Sequence, residues 1–278
     1  MTTQKIKIDN ARNHLMLNIK NENLLHRKIK SFCLKVFNYL DNNGNCDFDT
    51  NGEAKFIKNF VSTLKKKEPV IFDVGSNVGL YVQKILEYTT IINCNPQIHV
   101  FEPTNSCYNI LQQKFISYQN IKLNNFGVSD SETEATIYYD SKSSGLASLY
   151  QRNLKHYQID FSEKETIKLR RLDRYIKECN ISHIDFLKID IEGHELAAFN
   201  GLGDYLNATF IDAIQFEYGG CNLDSHTSLM EIFDILTNSG FKMYKVMPTH
   251  LEPREYRASM ENFQYANYVA LSPSLDKI

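Results

Sequence analysis

Apolar residues along this 278-residue chain follow two alternating periods. Short runs rich in apolar residues, mainly β-branched and aromatic ones, at 70–74, 98–102 and 185–191 are typical of buried parallel strands. Apolar residues spaced three or four positions apart at 79–88 and 105–116 predict helices between such strands. This alternation predicts an α/β fold, in which right-handed crossovers cover both faces of a parallel sheet.

The remaining apolar patterns extend this alternation to both ends of the chain. Strands are expected at 121–126, 211–218, 241–247 and 267–272, and helices at 24–40, 53–64, 172–179, 194–202 and 227–239. A hairpin with strands at 134–139 and 165–170 interrupts the order. The segment 140–164 between its strands is polar and rich in serine. A loop of this length in a compact domain predicts a lid or a disordered segment, and we expect a lid over the site.

A glycine-rich turn follows the strand at 70–74. The strand carries Asp73, and the turn contains Gly75, Asn77 and Gly79. Glycine lacks a Cβ, so the backbone can turn sharply here and approach a ligand, and the next helix begins with free N–H groups that face this ligand. The G-x-x-x-G spacing differs from the G-x-G-x-x-G of dinucleotide folds, which argues against NAD. Taken alone, the segment also fits an ordinary strand-to-helix turn.

A second acid, Glu102, ends the strand at 98–102, and Pro103 stops that strand. A carboxylate at the tip of the second strand accepts hydrogen bonds from ribose hydroxyls, as in the dinucleotide fold. Together with the glycine turn, Glu102 predicts a cofactor that contains adenosine but no pyrophosphate. S-adenosylmethionine meets this description.

Six motifs in a fixed order extend the pattern. They read D-V-G-x-N-x-G from Asp73, F-E-P from Phe101, N-x-x-V-S-D from Asn125, S-S-G-x-x-S-L from Ser143, L-D at 172–173 and L-K-I-D-I-E-G-x-E at 187–195. Over about residues 50–275 the chain resembles the FkbM family of S-adenosylmethionine-dependent methyltransferases. The last motif is the most specific. Ser76 stands where the family usually has alanine, and a serine fits this turn.

The resemblance implies a Rossmann-like class I methyltransferase sheet of seven strands, the last antiparallel, with an N-terminal helical extension. It also implies methyl transfer to a hydroxyl oxygen of a sugar, glycan or related small molecule. The residues expected to bind S-adenosylmethionine are Asp73, Gly75, Ser76, Asn77, Gly79, Glu102, Pro103, Asn125, Gly127, Val128 and Asp190.

Catalytic candidates lie where strands of an open α/β sheet end. Methyl transfer to a hydroxyl requires in-line alignment and removal of the hydroxyl proton. Asp190 ends the strand at 185–191, His194 follows it as a candidate proton acceptor, and Glu217 ends the strand at 211–218. His194 at the helix start also fits an ordinary surface residue. Asp190 and Glu217 also suit a hard cation, but we expect no metal, because carboxylates there serve equally well as hydrogen-bond acceptors.

Lys188 shares a strand face with Asp190 and is expected to pair with it. Carboxylates at 192 and 195 suit the start of the following helix, where negative charge is favoured.

Composition fits an enzyme with a sizeable core. Hydrophobic residues make up 42% of the chain, and no apolar run approaches the ~18 residues of a membrane span. The six cysteines form no C-x-x-C pair, so we expect reduced thiols. Residues 1–20 are polar and lack a signal-peptide core, which makes the cytosol the expected location.

Charge is unevenly distributed along the chain. Residues 1–67 carry a net charge of +7, whereas the whole chain carries −2. We therefore expect a basic N-terminal helical extension at 1–67 and a methyltransferase domain at 68–278. The basic part is either a solvated cap or a surface for a polyanion such as RNA, an anionic lipid or a nucleotide-linked sugar. No aromatic residues alternate with the charges to stack on bases.

Two other functions remain open at this point. An RNA ribose 2′-O-methyltransferase would use a Lys-Asp-Lys-Glu set made of an N-terminal lysine, Asp190, Lys245 and either Glu252 or Glu255. Lys245 lies farther from Asp190 than such enzymes require, so nucleic acid is not the favoured partner. A non-catalytic cofactor-binding module is the other alternative, and the complete set of motifs argues against it.

Overall fold

The computed structural model describes residues 23–275. Contacts divide the chain into two compact units, Met1–Asp41 and Asn42–Ile278. In the first, the helix α1 (Leu24–Leu40) begins at Asn23, whose side chain accepts a hydrogen bond from the N–H of Leu25 at 3.0 Å. The basic positions before residue 23 lie outside the described residues.

The second unit contains the sheets and the other helices. Its strands are β1 (Val70–Val74), β2 (Gln97–Phe101), β3 (Ile121–Asn124), β4 (Gly127–Val128), β5 (Thr133–Tyr139), β6 (Glu163–Arg170), β7 (Ile184–Ile189), β8 (Ile211–Tyr218), β9 (Lys242–Val246), β10 (Leu251–Pro253) and β11 (Ala266–Leu271). Its α-helices are α2 (Glu53–Thr63), α3 (Leu80–Ile91), α4 (Asn105–Phe115), α5 (Leu172–Glu178), α6 (Glu195–Leu202), α7 (Gly220–Ser225) and α8 (Leu229–Asn238).

The central sheet has the strand order β10-β9-β11-β8-β7-β1-β2-β3. β1 pairs in parallel with β2 and β7, while β11 runs antiparallel to both β8 and β9. The expected sheet of seven strands with a reversed last strand is therefore present. The short β10 adds an eighth strand that the apolar pattern did not predict, because it has three residues and ends at Pro253, a residue suited to a sheet edge.

The hairpin of β5 and β6 forms a separate three-stranded sheet with β4.

The helix expected at 227–239 is present as α8, and the short helix α7 precedes it. Ser228 separates the two, and its hydroxyl accepts a hydrogen bond from the N–H of Glu231 at 3.2 Å, which starts α8.

The helix α2 packs against the sheet. Its apolar stripe includes Phe56, Ile57 and Phe60, and the ring of Phe60 lies 5.2 Å from that of Phe186 on β7. The sequence analysis assigned this helix to an N-terminal extension, but its contacts belong to the unit that contains the sheet. The loop before α2, from Asn42 onward, belongs to the same unit. Within residues 23–275, no helix is both long and apolar enough to cross a lipid bilayer.

Candidate active site

The glycine turn brings the ends of β1 and β7 together. Gly75 has a φ of +84°, and a Cβ there would lie 1.8 Å from the carbonyl oxygen of Asp190. The N–H of Asp190 donates to the carbonyl of Val74 at 3.0 Å, which continues the strand pairing past the end of β7. Glycine at this position therefore joins the two strand tips as well as opening space for a ligand.

The second glycine of the turn has a different role. Gly79 has a φ of +75° and begins α3, and a Cβ there would lie 2.7 Å from both Leu111 and Phe115 of α4. Its absent side chain thus permits two helices to pack closely. Gly79 does not contribute to the cavity described below.

Asp73 supports the turn from the interior. It is fully buried, and its Oδ2 accepts a short hydrogen bond from the hydroxyl of Ser76. Burial raises the pKa of Asp73, and the nearby charge of Lys188 opposes this rise. The serine that departs from the usual family alanine therefore supplies a hydrogen-bond donor to a buried carboxyl group.

Glu102 is held by three donors. Its Oε1 accepts hydrogen bonds from the N–H of Thr104 at 2.9 Å and from the hydroxyl of Thr104 at 2.6 Å, and its Oε2 accepts one from the N–H of Asn77 at 2.9 Å. Burial raises the pKa of Glu102 to about 7, although these hydrogen bonds oppose the rise. One lone pair of Oε2 remains for a further donor, such as a ribose hydroxyl.

The turn after β3 supports Glu102. The side-chain amide of Asn125 donates to the carbonyl oxygens of Glu102 at 3.0 Å and Pro103 at 3.1 Å. A Cβ on Gly127 would lie 2.7 Å from the side chain of Leu169, so this glycine lets β4 approach β6. Asn125 therefore fixes the backbone beside the site without lining it.

A cavity of about 980 Å³ lies at the carboxyl edge of the sheet. Among the predicted site residues, those in its wall are Gly75, Ser76, Asn77, Glu102, Pro103, Gly127, Val128, Asp190 and His194. Asp73, Gly79, Asn125 and Glu217 lie outside the wall. One part of the wall is an apolar slot formed by Phe126, Val128, Ile137, Ile167 and Leu169.

This slot fits the adenine ring of S-adenosylmethionine, and the carboxylate of Glu102 fits its ribose. Sequence reasoning missed Ile137, Ile167 and Leu169, which the hairpin contributes. Their alternation with polar residues was the available signal, since alternate positions of a strand share one face.

Asp190 lies on the cavity wall beside the turn. The ammonium group of Lys188 donates to its Oδ2 at 2.9 Å and lies 4.9 Å from the centre of the Tyr81 ring. Burial lowers the pKa of Lys188, but the carboxylates of Asp190, Asp73 and Glu53 outweigh burial and raise it overall. The predicted ion pair is thus present, and Lys188 remains charged.

The last motif builds the turn between β7 and α6. Glu192 has a φ of +52° and Gly193 a φ of +102°. Oε1 of Glu195 accepts hydrogen bonds from the N–H groups of Ile191 at 3.0 Å and Gly193 at 3.2 Å. Glu195 therefore stabilises this turn at the start of the helix, as the sequence analysis expected for an acid at this position.

Both ring nitrogens of His194 have partners. Its Nδ1 lies 3.0 Å from the hydroxyl of Tyr150, and its Nε2 lies 2.9 Å from the hydroxyl of Ser129. Burial lowers the pKa of His194, and Asp130 opposes the change. The imidazole is therefore neutral at neutral pH, and an acceptor hydroxyl would have to replace one of these two partners to bind it directly.

Glu217 lies beside Glu192. Ligand atoms of Glu217, Glu192 and Cys221 lie within 4.8 Å of one another, and Asp190 is not part of this group. Burial raises the pKa of Glu217 well above its usual range, and the charges of Asp190 and Glu192 add to the rise. Burial and the neighbouring carboxylates therefore favour the protonated form of Glu217, in which the carboxyl group can donate a hydrogen bond.

The structure does not bring together the Lys-Asp-Lys-Glu set that an RNA ribose methyltransferase would use. Lys245 is buried on β9, three strands away from β7, and donates to the side chain of Asn43. Glu252 lies on the edge strand β10 and pairs with Arg254 at 3.3 Å. At ~4.8 Å per strand, Lys245 is roughly 14 Å from the strand that carries Asp190.

Residues 143–152, called the strap, cover part of the cavity. The carbonyl of Ser144 accepts a hydrogen bond from the side chain of Asn77 at 2.8 Å, and the hydroxyl of Ser148 donates to the carbonyl of Glu192 at 2.8 Å. The buried guanidinium of Arg152 contacts Glu192 at 2.7 Å and Asp224 at 3.2 Å. The strap is therefore fastened at both ends and in the middle.

We expect the strap to behave as a lid whose latch is Arg152. Hydrogen exchange in the strap should slow when cofactor and acceptor bind to the wild-type protein. Arg152→Ala should raise exchange there about tenfold or more, because it leaves the largely buried carboxylate of Glu192 without its cation. Arg152→Lys is the matched control and should give an intermediate rate, since lysine keeps the charge but not both contacts. Unchanged exchange in Arg152→Ala would contradict the latch.

Replacing Glu102 tests the ribose contact. Glu102→Ala should weaken S-adenosylmethionine binding by about 2 kcal/mol, or about 30-fold, as expected for loss of a charged hydrogen-bond acceptor. Binding by the wild type should also weaken as the pH falls through about 7, because protonation of Glu102 removes acceptor capacity. Calorimetry as a function of pH measures both effects, with Glu134→Ala on the exposed face of the hairpin as control. Wild-type affinity in Glu102→Ala would rule out the contact.

The fold and this site define an S-adenosylmethionine-dependent methyltransferase of class I. The sequence profile described as "Methyltransferase FkbM domain" matches residues 73–243. The chain therefore belongs to the FkbM methyltransferase family, and its cofactor is S-adenosylmethionine.

Individual relatives are distant. The 2-O-methyltransferase NoeI of Sinorhizobium fredii is 25% identical over 208 residues, which span 71% of this chain and 82% of NoeI. The AMB antimetabolite synthetase AmbE of Pseudomonas aeruginosa is 27% identical over 168 residues, which span 49% of this chain and 8% of AmbE. The crystal structure of methyltransferase FkbM from Methylobacillus flagellatus superposes with a TM-score of 0.47 and 13% identity, over 75% of this chain and 45% of that one.

Proposed function

We propose that the protein transfers the methyl group of S-adenosylmethionine to a hydroxyl oxygen of a sugar, glycan or related small molecule. The observation that carries this proposal is the carboxylate of Asp190, which lies in the wall of a cavity that also contains the cofactor-binding turn. The relation to NoeI, a 2-O-methyltransferase, supports oxygen as the acceptor atom.

When bound, the cofactor supplies an electrophilic methyl group. The residues of the chain then have three tasks: to hold the nucleoside, to align the acceptor hydroxyl and to remove its proton. The apolar slot and Glu102 serve the first task. Lys188 binds Oδ2 of Asp190, which leaves Oδ1 to accept a hydrogen bond from the acceptor hydroxyl. Asp190 thereby aligns the oxygen and is positioned to take its proton.

His194 either relays the proton or acts as the base after exchanging one of its two hydroxyl partners for the acceptor. In its neutral form it can receive a proton from Asp190 or from the acceptor by way of Tyr150, whose hydroxyl lies 3.0 Å from Nδ1. Glu217 lies outside the cavity wall and beside Glu192, and its pKa is raised, so we assign it a supporting role rather than proton abstraction.

The test is a methyl-transfer assay on a panel of neutral glycosides. The protein is incubated with S-adenosylmethionine, and release of S-adenosylhomocysteine is measured together with the site of the new methyl group by mass spectrometry. Transfer to a hydroxyl is expected, at a rate that a chelator leaves unchanged. If the rate falls on chelation and returns with magnesium, Asp190 and its neighbours bind a metal. Transfer only to nitrogen or carbon would overturn the proposal.

A further inference from the structure

The cavity extends past the turn into a second part, here called the acceptor subsite. Its wall contains Phe48, Asp49 and Glu53 from the segment before and at the start of α2, and Tyr81 and Lys84 from α3. The apolar slot and Glu102 lie in the part that fits the nucleoside. Because Asp190 lies in the wall between the glycine turn and this second part, the acceptor subsite is the space left for the molecule that receives the methyl group.

The segment that forms this wall is fixed to the sheet. The side-chain amide of Asn42 donates to the carbonyl oxygens of Asn51 at 2.7 Å and Val246 at 2.9 Å. The N–H of Gly44 donates to the carbonyl of Tyr265 at 2.8 Å. The bonds to Val246 and Tyr265 join residues more than about 200 positions apart in sequence, so this wall of the subsite is held in place by the sheet.

The half-buried ring of Phe48 provides its apolar surface, and the buried ring of Tyr81 supports it. Phe48 and Tyr81 meet edge to face, with their ring centres 5.8 Å apart. The hydroxyl of Tyr81 donates to Oε1 of Gln215 at 2.6 Å, which fixes the orientation of the ring. Aromatic surfaces of this kind pack against the C–H groups of ring compounds, while nearby acceptors bind their hydroxyls.

Glu53 provides the buried acceptor. Its side chain lies in the wall, yet the residue is only 6% exposed. Asn51 donates to Oε1 at 2.7 Å, and Gln215 donates to Oε2 at 2.6 Å. Burial raises the pKa of Glu53, and Lys188 and these amides oppose the rise. Oε1 also accepts a hydrogen bond from the hydroxyl of Tyr265 at 3.3 Å, whereas Oε2 retains a lone pair that can accept a hydroxyl or amine hydrogen.

The lysines that could bind an anionic acceptor already form ion pairs with carboxylates. Among the described residues of the cavity wall there is no arginine, and the two lysines are Lys84 and Lys188. Lys84 pairs with Glu87 at 3.2 Å, and Lys188 pairs with Asp190 at 2.9 Å. Asp49 adds a further negative charge at the exposed rim. A phosphate or carboxylate entering the subsite would face carboxylates and would have to displace an existing ion pair.

We infer that the acceptor subsite binds a neutral or amine-bearing polyhydroxyl ring compound and excludes phosphorylated and carboxylated ones. This inference rests on the proposed function for the role of the subsite, and it adds the charge class of the substrate. Nucleotide-linked sugars and RNA are among the acceptors that it excludes.

Cys46 allows the electric potential of the subsite to be measured without a known acceptor. It is exposed and lies in the cavity wall. In a variant that combines Cys33→Ser, Cys94→Ser and Cys179→Ser, the rates of labelling by a cationic and an anionic methanethiosulfonate are compared. The thiolate fraction is the same for both reagents, so the ratio of rates reports the local potential. The control variant keeps Cys33, which is exposed on α1, and has serine at 46, 94 and 179.

The cationic reagent should be favoured at Cys46 about tenfold more than at Cys33, and less so at high salt. Asp49→Asn should lower this preference, and Asp49→Lys should lower it further. An equal preference at the two cysteines, or a preference for the anionic reagent at Cys46, would overturn the inference.

A second measurement uses three forms of one sugar scaffold: methyl glucoside, glucosamine and glucose 6-phosphate. Each is tested as a competitor that slows labelling of Cys46 in the presence of S-adenosylhomocysteine. Protection by the first two and not by the phosphate supports the inference, whereas protection by the phosphate alone overturns it. The labelling measurements do not require methyl transfer. If no hydroxyl compound were methylated, the proposed function would fail, but the labelling rates would still report the charge of the subsite.

Discussion

Asp190→Asn is expected to lower turnover by about 10²–10⁴-fold, the range found when a group that accepts a proton in catalysis is lost. Asparagine keeps the size of the side chain and the backbone hydrogen bond to Val74, so the turn should remain intact. The amide cannot take the acceptor proton, and it also removes the charge that pairs with Lys188. S-adenosylmethionine affinity should therefore fall much less than the catalytic rate. Single-turnover kinetics and calorimetry separate the two quantities.

His194→Ala and Tyr150→Phe are the comparison variants. If His194 is the base, its removal should match the loss in Asp190→Asn, and the wild-type rate should rise with pH through a value below the usual 6.5 of histidine, because burial lowers its pKa. If His194 only relays the proton, Tyr150→Phe should reproduce most of its effect. Wild-type turnover in Asp190→Asn would remove this residue from the mechanism.

Gly75→Ala is expected to abolish measurable cofactor binding, a loss of at least about 100-fold. The added Cβ would lie 1.8 Å from the carbonyl oxygen of Asp190, and the φ of +84° is unfavourable for alanine by roughly 1–3 kcal/mol. The two strand tips would have to separate, which displaces both the turn and Asp190. The melting temperature should also fall, since the tips are part of the buried sheet.

Gly145→Ala provides the matched control in the same cavity. A Cβ at Gly145 would lie 3.9 Å from the side chain of Asn77, an ordinary contact. Binding and melting temperature should stay close to wild type in this variant. If Gly75→Ala also behaved like wild type, the close approach of β1 and β7 would not hold in solution.

The sequence predicted the parts of the fold that depend on neighbours along the chain. Strand β8 (Ile211–Tyr218) was predicted with the bounds that the structure shows, and the strands at 70–74 and 98–102 within a residue. Apolar periodicity reports which face of a strand or helix is buried, and this is decided over a few residues. The glycine turn, Glu102 and the last motif were predictable for the same reason, because each is a short segment whose chemistry is local.

Sequence alone also determined the family and the cofactor, but not how the motif residues divide their tasks. Gly75 and Gly79 look equivalent in the motif. In the structure the first meets the backbone of Asp190 and the second meets the side chains of α4. Asn125 was expected at the cofactor and instead supports the backbone at Glu102. Such differences depend on residues that lie far away in sequence.

Only the tertiary structure decided the proposed acceptor subsite and the contacts of the strap. Glu53 meets Gln215 across 162 positions, and Arg152 meets Asp224 across 72. Neither pair has a periodic or local signal, because the contact exists only after the sheet has brought separate segments to one edge. The partners of His194 were equally hidden for this reason. Local patterning thus determined the scaffold and the cofactor motif, whereas long-range packing determined which other side chains line the cavity.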